Sequence, residues 1–174
     1  MRYVRAVFAM LVFGASLGVT AGAQPATELS GTISTTLTIT RDARLVGDVT
    51  CTVVGAPCIQ IGASGVTLRL EGFSITGQSD PVTGCAGAST AGEHGIVIAG
   101  QRAVDVRGPG IVQRFRGQGI VISAGSTRVL VRQVTASTNC LSGIFLTGAT
   151  TSDNDVEANI SVRNGNTNAA CGGI

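Results

Sequence analysis

The sequence has 174 residues, of which 44% are hydrophobic and only 13% charged, with 25 glycines and no tryptophan. A chain of this length predicts one domain. Twelve basic residues, all of them arginine, nearly balance ten acidic residues. The near-neutral balance lacks the net positive charge typical of proteins that bind nucleic acid or anionic lipid, so we expect neither partner.

Residues 1–23 are predicted to be a signal peptide. Arg2 and Arg5 precede an apolar run, and the Ala-Gly-Ala at 21–23 offers a small-residue cleavage site. The apolar run is short for a membrane span, with an uncleaved anchor as the alternative. We expect a secreted chain, extracellular or periplasmic, with no membrane insertion after signal removal. Loss of Arg2 and Arg5 leaves ten arginines against ten acidic residues.

Residues 24–36 are predicted to form an N-terminal cap. The sequence is polar and irregular over 24–30, and Ile33, Leu37 and Ile39 then alternate with serine and threonine as in a first strand. A stack of strands needs such a cap, because its first layer otherwise exposes core and strand edges.

Residues 37–174 are predicted to form an all-β fold, a right-handed single-stranded parallel β-helix of about five coils. In 65–76 the apolar residues alternate with a period of two, in two short strands. Gly-Ile pairs recur at 95, 119 and 143, and Cys58-Ile59 holds the equivalent place one coil earlier. Each coil carries two further short strands, and stacked coils close a continuous core. The turns of a hairpin sandwich are missing from the expected places.

Residues 78–93 are predicted to be a loop inserted into this rhythm. The segment is rich in glycine, alanine, serine and threonine, and long insertions on a solenoid are frequent places for binding residues. His94 follows Glu93 directly and is interpreted as a surface turn residue. Asn159 and Asn164 are predicted at turns, where asparagine tolerates left-handed backbone.

Five cysteines follow the signal peptide, and export predicts disulfides. Cys140 and Cys171 hold nearly the same place on neighbouring coils, so a bond between them is geometrically plausible. Cys51 and Cys58 would close a small loop. Cys85 would then be unpaired.

The strongest candidates for chemistry are Asp153, Asp155 and Glu157. With Val156 inward, all three carboxylates point outward on one strand. They could bind Ca²⁺, which prefers oxygen ligands, and Asp153 and Asp155 could act as catalytic acid and base on a polysaccharide.

Structural charge pairing is the alternative interpretation of these carboxylates. Stacking Val131 on Val156 places Arg128 over Asp153 and Arg132 over Glu157. One coil earlier, stacking Leu70 on Val106 predicts a second set of contacts: Arg69 with Asp105, Glu71 with Arg107. Opposite charges on neighbouring strands are ordinary cross-strand pairs, and this register favours pairing over catalysis. Within it, Arg107 against Arg132 is the one like-charge contact.

The segment GVTLRLEGFSITG at 65–77, followed by Gly-Ile coil starts, resembles bacterial secreted right-handed parallel β-helix repeat proteins. These form the pectin-lyase-like group of pectate lyases, polygalacturonases, alginate epimerases and periplasmic NosD-like proteins. The resemblance covers about residues 37–174. It implies the fold and a polysaccharide or cell-envelope partner, but no catalytic signature matches residue by residue.

We therefore expect an exported scaffold or surface-interaction module, associated with polysaccharide and not with nucleic acid. The alternatives are a polysaccharide lyase, hydrolase or epimerase with its site at Asp153 and Asp155, or a fragment that lacks its functional site. Gly173-Ile174 begins a coil at the C-terminus, so missing coils or a further chain would complete the stack. The aromatic residues after the signal are Phe73, Phe115 and Phe145, so sugar contacts would rest on hydrogen bonds and charge.

Overall fold

The computed structural model describes residues 24–79 and 92–165. Within these residues the chain is all-β, with thirteen strands and no helix. In chain order the strands are β1 (Thr27–Ile33), β2 (Leu37–Ile39), β3 (Ala43–Cys51), β4 (Ile59–Ile61), β5 (Thr67–Arg69), β6 (Ser74–Thr76), β7 (Ile96–Ala99), β8 (Asp105–Gln113), β9 (Ile120–Ser123), β10 (Leu130–Ser137), β11 (Ile144–Leu146), β12 (Asp155–Glu157) and β13 (Ile160–Val162).

The strands form two sheets, and every strand pairing in the described residues is parallel. The larger sheet has the order β1-β3-β5-β8-β10-β12, with β6 beside β3 and β8, and β13 beside β10. The smaller sheet has the order β2-β4-β7-β9-β11. The chain visits the sheets in turn, and each visit adds a strand beside the one from the visit before. This topology is consistent with a parallel β-solenoid. We call one passage through both sheets a repeat; the repeats begin at β2, β4, β7, β9 and β11.

The predicted Gly-Ile rows are confirmed in the smaller sheet. Fully buried isoleucines pair in register on four adjacent strands: Ile59, Ile96, Ile120 and Ile144. Each such burial stabilises the fold by about 1.5–3 kcal/mol. Glycine precedes the isoleucine because the strands stack closely there: a Cβ on Gly95 would overlap the carbonyl oxygen of Gly119.

In the larger sheet the inward row consists of Leu68, Val106, Val131 and Val156. A second inward row consists of Ile75, Val112, Ala136 and Ser161. On β13 the apolar Ile160 and Val162 are exposed, and Ser161 takes the inward place between them. In the last repeat the core row therefore ends on a polar residue.

The corners of the last repeat are held by asparagine side chains. Left-handed backbone falls on the residue before each asparagine, with φ of 52° at Ala158 and 55° at Arg163. Asn159 accepts the Val134 N–H at 2.9 Å and donates to the Val131 carbonyl at 2.8 Å. Asn159 and Asn164 therefore lie at corners as predicted, but neither has left-handed backbone. The Asn159 side chain instead caps the backbone of the preceding repeat.

The irregular stretch predicted over 24–30 is also wrong. Residues from Thr27 belong to β1, which pairs in parallel with β3 as a strand of the larger sheet. Leu29 is the apolar side chain that β1 buries. A strand with so little apolar sequence does not show the alternation by which strands are recognised.

Candidate functional site

Four arginines lie side by side on the outer face of the larger sheet. Strand register pairs Arg44 with Arg69, Arg69 with Arg107, and Arg107 with Arg132. We call these four residues the arginine row. Adjacent strands are about 4.8 Å apart, so the row extends over roughly 14 Å across the strands. Its ends lie opposite two glutamates, Glu28 on β1 and Glu157 on β12.

The row faces outward because each arginine follows an inward residue on a strand of period two. Ala43, Leu68, Val106 and Val131 fill the core directly before them. The side chains of Arg44, Arg107 and Arg132 are 48%, 38% and 32% exposed. Arg69 is also exposed. All four guanidinium groups can therefore meet a molecule that lies across this face.

Asp105 joins two members of the row. Its Oδ2 accepts from Arg107 Nε at 3.2 Å, from Arg107 Nη2, and from Arg132 Nη2 at 3.2 Å. Its Oδ1 is buried and has no hydrogen-bond partner, and the same is true of Arg132 Nε. One carboxylate oxygen therefore serves two guanidinium groups, and neither arginine has the two-oxygen fork that makes such pairs strong.

The other two arginines differ from each other. Arg44 forms an ion pair with Glu28 across adjacent strands. Arg69 makes no ion pair with any residue in the described ranges. It lies between Arg44 and Arg107, and each like-charge contact on neighbouring strands is unfavourable. Arg69 is thus the most cationic point of the face.

This register corrects a prediction. Leu68, and not Leu70, pairs with Val106, so Arg69 lies opposite Arg107 and not opposite Asp105. Glu71 lies beyond β5 at a left-handed corner, with φ of 51°, and does not face Arg107. The predicted alternation of charge is replaced here by a run of like charges. The predicted contact of Arg107 with Arg132 is confirmed.

The predicted carboxylates lie at the end of this face. Asp153, Asp155 and Glu157 are all exposed, and the register that places Arg132 opposite Glu157 is confirmed. The Arg128 N–H donates to the Asp153 carbonyl at 3.0 Å. The side chains do not pair as predicted: Arg132 turns to Asp105, and Asp153 Oδ2 accepts from Ser152 at 3.3 Å. The Asp105 side chain is 17% exposed and Glu157 is exposed, so Asp105 is the less hydrated partner for Arg132.

The described residues show no arrangement of side chains that supports the predicted calcium site. Within 24–79 and 92–165, no group of three histidine, cysteine, aspartate or glutamate side chains is placed to hold a metal ion. This includes Asp153, Asp155 and Glu157. Asp153 lies at a left-handed corner with φ of 54°, whereas Asp155 and Glu157 lie on the strand β12.

A buried ion pair that the sequence did not reveal lies elsewhere on the molecule. The Glu93 side chain is 5% exposed, and its carboxylate accepts from Arg116 Nε at 2.5 Å and from Arg116 Nη2 at 2.8 Å. Glu93 Oε1 also accepts the Gly55 N–H at 2.9 Å. The carboxylate therefore joins the loop after β3 to the loop after β8. Of the predicted loop 78–93, residues 80–91 lie outside the described ranges.

His94 is half-buried, which corrects its interpretation as a surface turn residue. Its Nδ1 accepts the Gln118 N–H at 3.1 Å, and burial lowers the pKa of the imidazole below its ordinary value of 6.5. Glu93, His94 and Arg116 line a small pocket beside Cys51 and Cys58. The His94 contact with Gln118 could have been predicted, because the spacing that stacks Gly95 on Gly119 also stacks His94 on Gln118.

The disulfide predicted between Cys51 and Cys58 is confirmed. Cys140 is also disulfide-bonded. The predicted partner Cys171 lies outside the described residues, as does Cys85. Disulfides are typical of oxidising compartments, which agrees with the expectation of export.

No helix in the described parts of the chain is long and apolar enough to cross a membrane. Comparison with family models, curated proteins and solved structures finds no match to this chain. The likeness to the pectin-lyase-like group therefore rests on the repeat residues alone.

Proposed function

We propose that this protein is an exported right-handed parallel β-helix that binds an acidic polysaccharide across the arginine row. The observation that carries the proposal is the register of Arg44, Arg69, Arg107 and Arg132 on four adjacent strands. Right-handed coiling is the expected hand, because parallel crossovers are almost always right-handed.

A linear polyanion suits this surface better than a small anion. The guanidinium groups recur about every 4.8 Å along the stacking direction and form a line, not a pocket. Arginine forms two parallel hydrogen bonds with a carboxylate. A chain of uronic acids that runs across the strands would present carboxylates to successive arginines, with Arg69 as the first free partner.

Two features favour a polysaccharide over a nucleic acid. Nucleic-acid binding without sequence preference uses aromatic side chains on which bases stack. Phe115 is buried, Phe73 packs against the core and Phe145 lies on β11 of the smaller sheet. The arginine face therefore has no aromatic platform in the described residues. A predicted signal peptide also places the chain where extracellular polysaccharides are found.

Binding is proposed in preference to the lyase, hydrolase or epimerase alternative. That alternative depends on Asp153 and Asp155, and no described guanidinium group pairs with either carboxylate. Catalytic carboxylates work as a pair whose environments differ. Here both are exposed at the end of the face.

The test is binding of the purified secreted chain to polygalacturonate, with neutral dextran and single-stranded DNA as comparison polymers. We expect binding to polygalacturonate that weakens as salt is added. Arg69→Gln should lower the affinity about tenfold, since it removes a charge-assisted hydrogen bond. Arg163→Gln is the matched control, because Arg163 is exposed at another corner of the molecule.

Equal binding to dextran and polygalacturonate would refute the proposal, and so would equal effects of the two substitutions. Preference for single-stranded DNA would also refute it and would assign the row to nucleic acid. Release of unsaturated or shortened oligomers from polygalacturonate would favour the enzyme alternative. Asp155→Ala should leave the binding intact.

A further inference from the structure

We propose that Asp105 is a built-in competitor for the acid groups of the ligand, and that it sets the affinity of the arginine row. The inference rests on the proposed function, because it assigns regulation of the same surface. Asp105 occupies, in the free protein, the place between Arg107 and Arg132 that a ligand carboxylate would take.

The geometry of Asp105 shows an anion held between two cations. Asp105 precedes Arg107 by two residues on β8, so both side chains leave the same face of the strand. Arg132 reaches it from the neighbouring strand β10. The aspartate side chain is 17% exposed, against 38% and 32% for the two arginines. It therefore lies beneath the guanidinium groups and leaves their outer edges to solvent.

The contact of Asp105 with Arg107 and Arg132 leaves polar atoms unpaired, so a ligand carboxylate can replace it. All three hydrogen bonds fall on Oδ2, while Oδ1 and Arg132 Nε are buried without partners. A ligand carboxylate that approaches from outside could form a two-oxygen fork with a guanidinium group, which is the stronger arrangement. To bind in this way, the ligand carboxylate must displace Asp105 Oδ2 from the guanidinium group, and this displacement lowers the affinity for the ligand.

The neighbouring positions show what Asp105 changes. Asp105 belongs to a second row of outward positions, two residues before the arginine row on each strand. The strands on either side of β8 carry Thr67 and Leu130 at this position, and Asp155 holds it on β12. Asp105 is therefore the carboxylate of this row that contacts an arginine of the arginine row. With a neutral residue in its place, Arg69, Arg107 and Arg132 would form an uninterrupted cationic run.

The experiment measures polygalacturonate binding to Asp105→Asn by titration calorimetry, with Asp155→Asn as the matched control. Both substitutions remove one negative charge from the same outward row. We expect Asp105→Asn to raise the affinity about fivefold and to steepen its dependence on salt, because two guanidinium groups are released. Asp155→Asn should change the affinity less than about twofold, as expected of an unpaired surface charge.

A second variant covers the case in which Asp105→Asn does not fold. Asp105→Thr introduces the residue that stands at this place on the adjacent strand, and it should also raise the affinity. Binding by the wild type with no gain in either Asp105 variant, or with equal gains in Asp155→Asn, would overturn this inference and leave the proposed function standing. Failure of the wild type and all variants to bind would refute the proposed function itself.

Discussion

Removal of Glu93 should destabilise the protein far more than removal of any exposed carboxylate. Glu93→Ala leaves the Gly55 N–H and the Arg116 guanidinium without their acceptor. A fully buried pair that loses one partner costs about 3–5 kcal/mol. The Arg116 side chain is 31% exposed and can turn towards water, so we expect the lower end, about 3 kcal/mol of unfolding free energy. Urea unfolding followed by circular dichroism measures this loss.

Two further variants separate charge from shape. Glu93→Gln keeps an acceptor for Gly55 but loses the negative charge, and should cost about half as much as Glu93→Ala. Glu28→Ala is the control, because its ion pair with Arg44 is exposed on both sides and should contribute less than about 1 kcal/mol. If Glu93→Ala costs no more than Glu28→Ala, the buried pair does not hold the two loops together. If Glu93→Gln costs as much as Glu93→Ala, the lost charge accounts for the whole effect and the Gly55 hydrogen bond contributes nothing.

Three further predictions concern close packing, acid and the corners of the repeats. Gly119→Ala places a Cβ 2.5 Å from the Gly143 carbonyl oxygen and should lower the free energy of unfolding by about 3 kcal/mol. At Gly65 the added Cβ meets open space, so Gly65→Ala should cost only about 1 kcal/mol, for its left-handed backbone. Similar thermal midpoints for the two variants would contradict this. Protonated His94 cannot accept the Gln118 N–H, and burial lowers the pKa of its imidazole in the folded protein. The contribution of His94 to stability should therefore be complete above about pH 6.5, decline below it and level off under the folded pKa. His94→Gln should flatten this part of the pH profile, and an unchanged profile would show that another group titrates. Asn159→Ala leaves a backbone N–H and a carbonyl unpaired and should cost about 2 kcal/mol in urea unfolding, whereas a neutral substitution would show that water replaces both bonds.

The repeat rows could be predicted from the sequence because buried apolar residues report their own register. Ile96, Ile120 and Ile144 are each preceded by glycine and recur at a fixed spacing, so the pattern determines both the face and the neighbour. At Gly95 and Gly119 the close stacking leaves no room for a Cβ before the isoleucine, which is why the motif is conspicuous. The strand β1 could not be predicted in this way, since it buries a single leucine.

The arginine row could not be predicted, for a specific physical reason. Leu68 and Leu70 are both inward and both fully buried, so the alternating pattern fits either of them opposite Val106. A slip of one residue would turn the apolar side chains outward, but a slip of two keeps every face correct. The difference appears only in the charges, because Arg69 meets Asp105 in one register and Arg107 in the other. The inserted segment before β7 removes the constant spacing that would otherwise have decided between them.

The same reasoning explains where function should be sought on a stacked parallel sheet. Along one strand, outward residues come from a short piece of sequence, so a cluster such as Asp153, Asp155 and Glu157 can be recognised from the sequence. Across the strands, outward residues come from segments about 25 residues apart or more, yet lie closer together, at about 4.8 Å. A repeated outward position therefore becomes a line of identical groups, whereas a cluster within one strand remains local. A ligand long enough to cross several repeats would meet the line, and on this face the line consists of guanidinium groups with one carboxylate, Asp105, set among them.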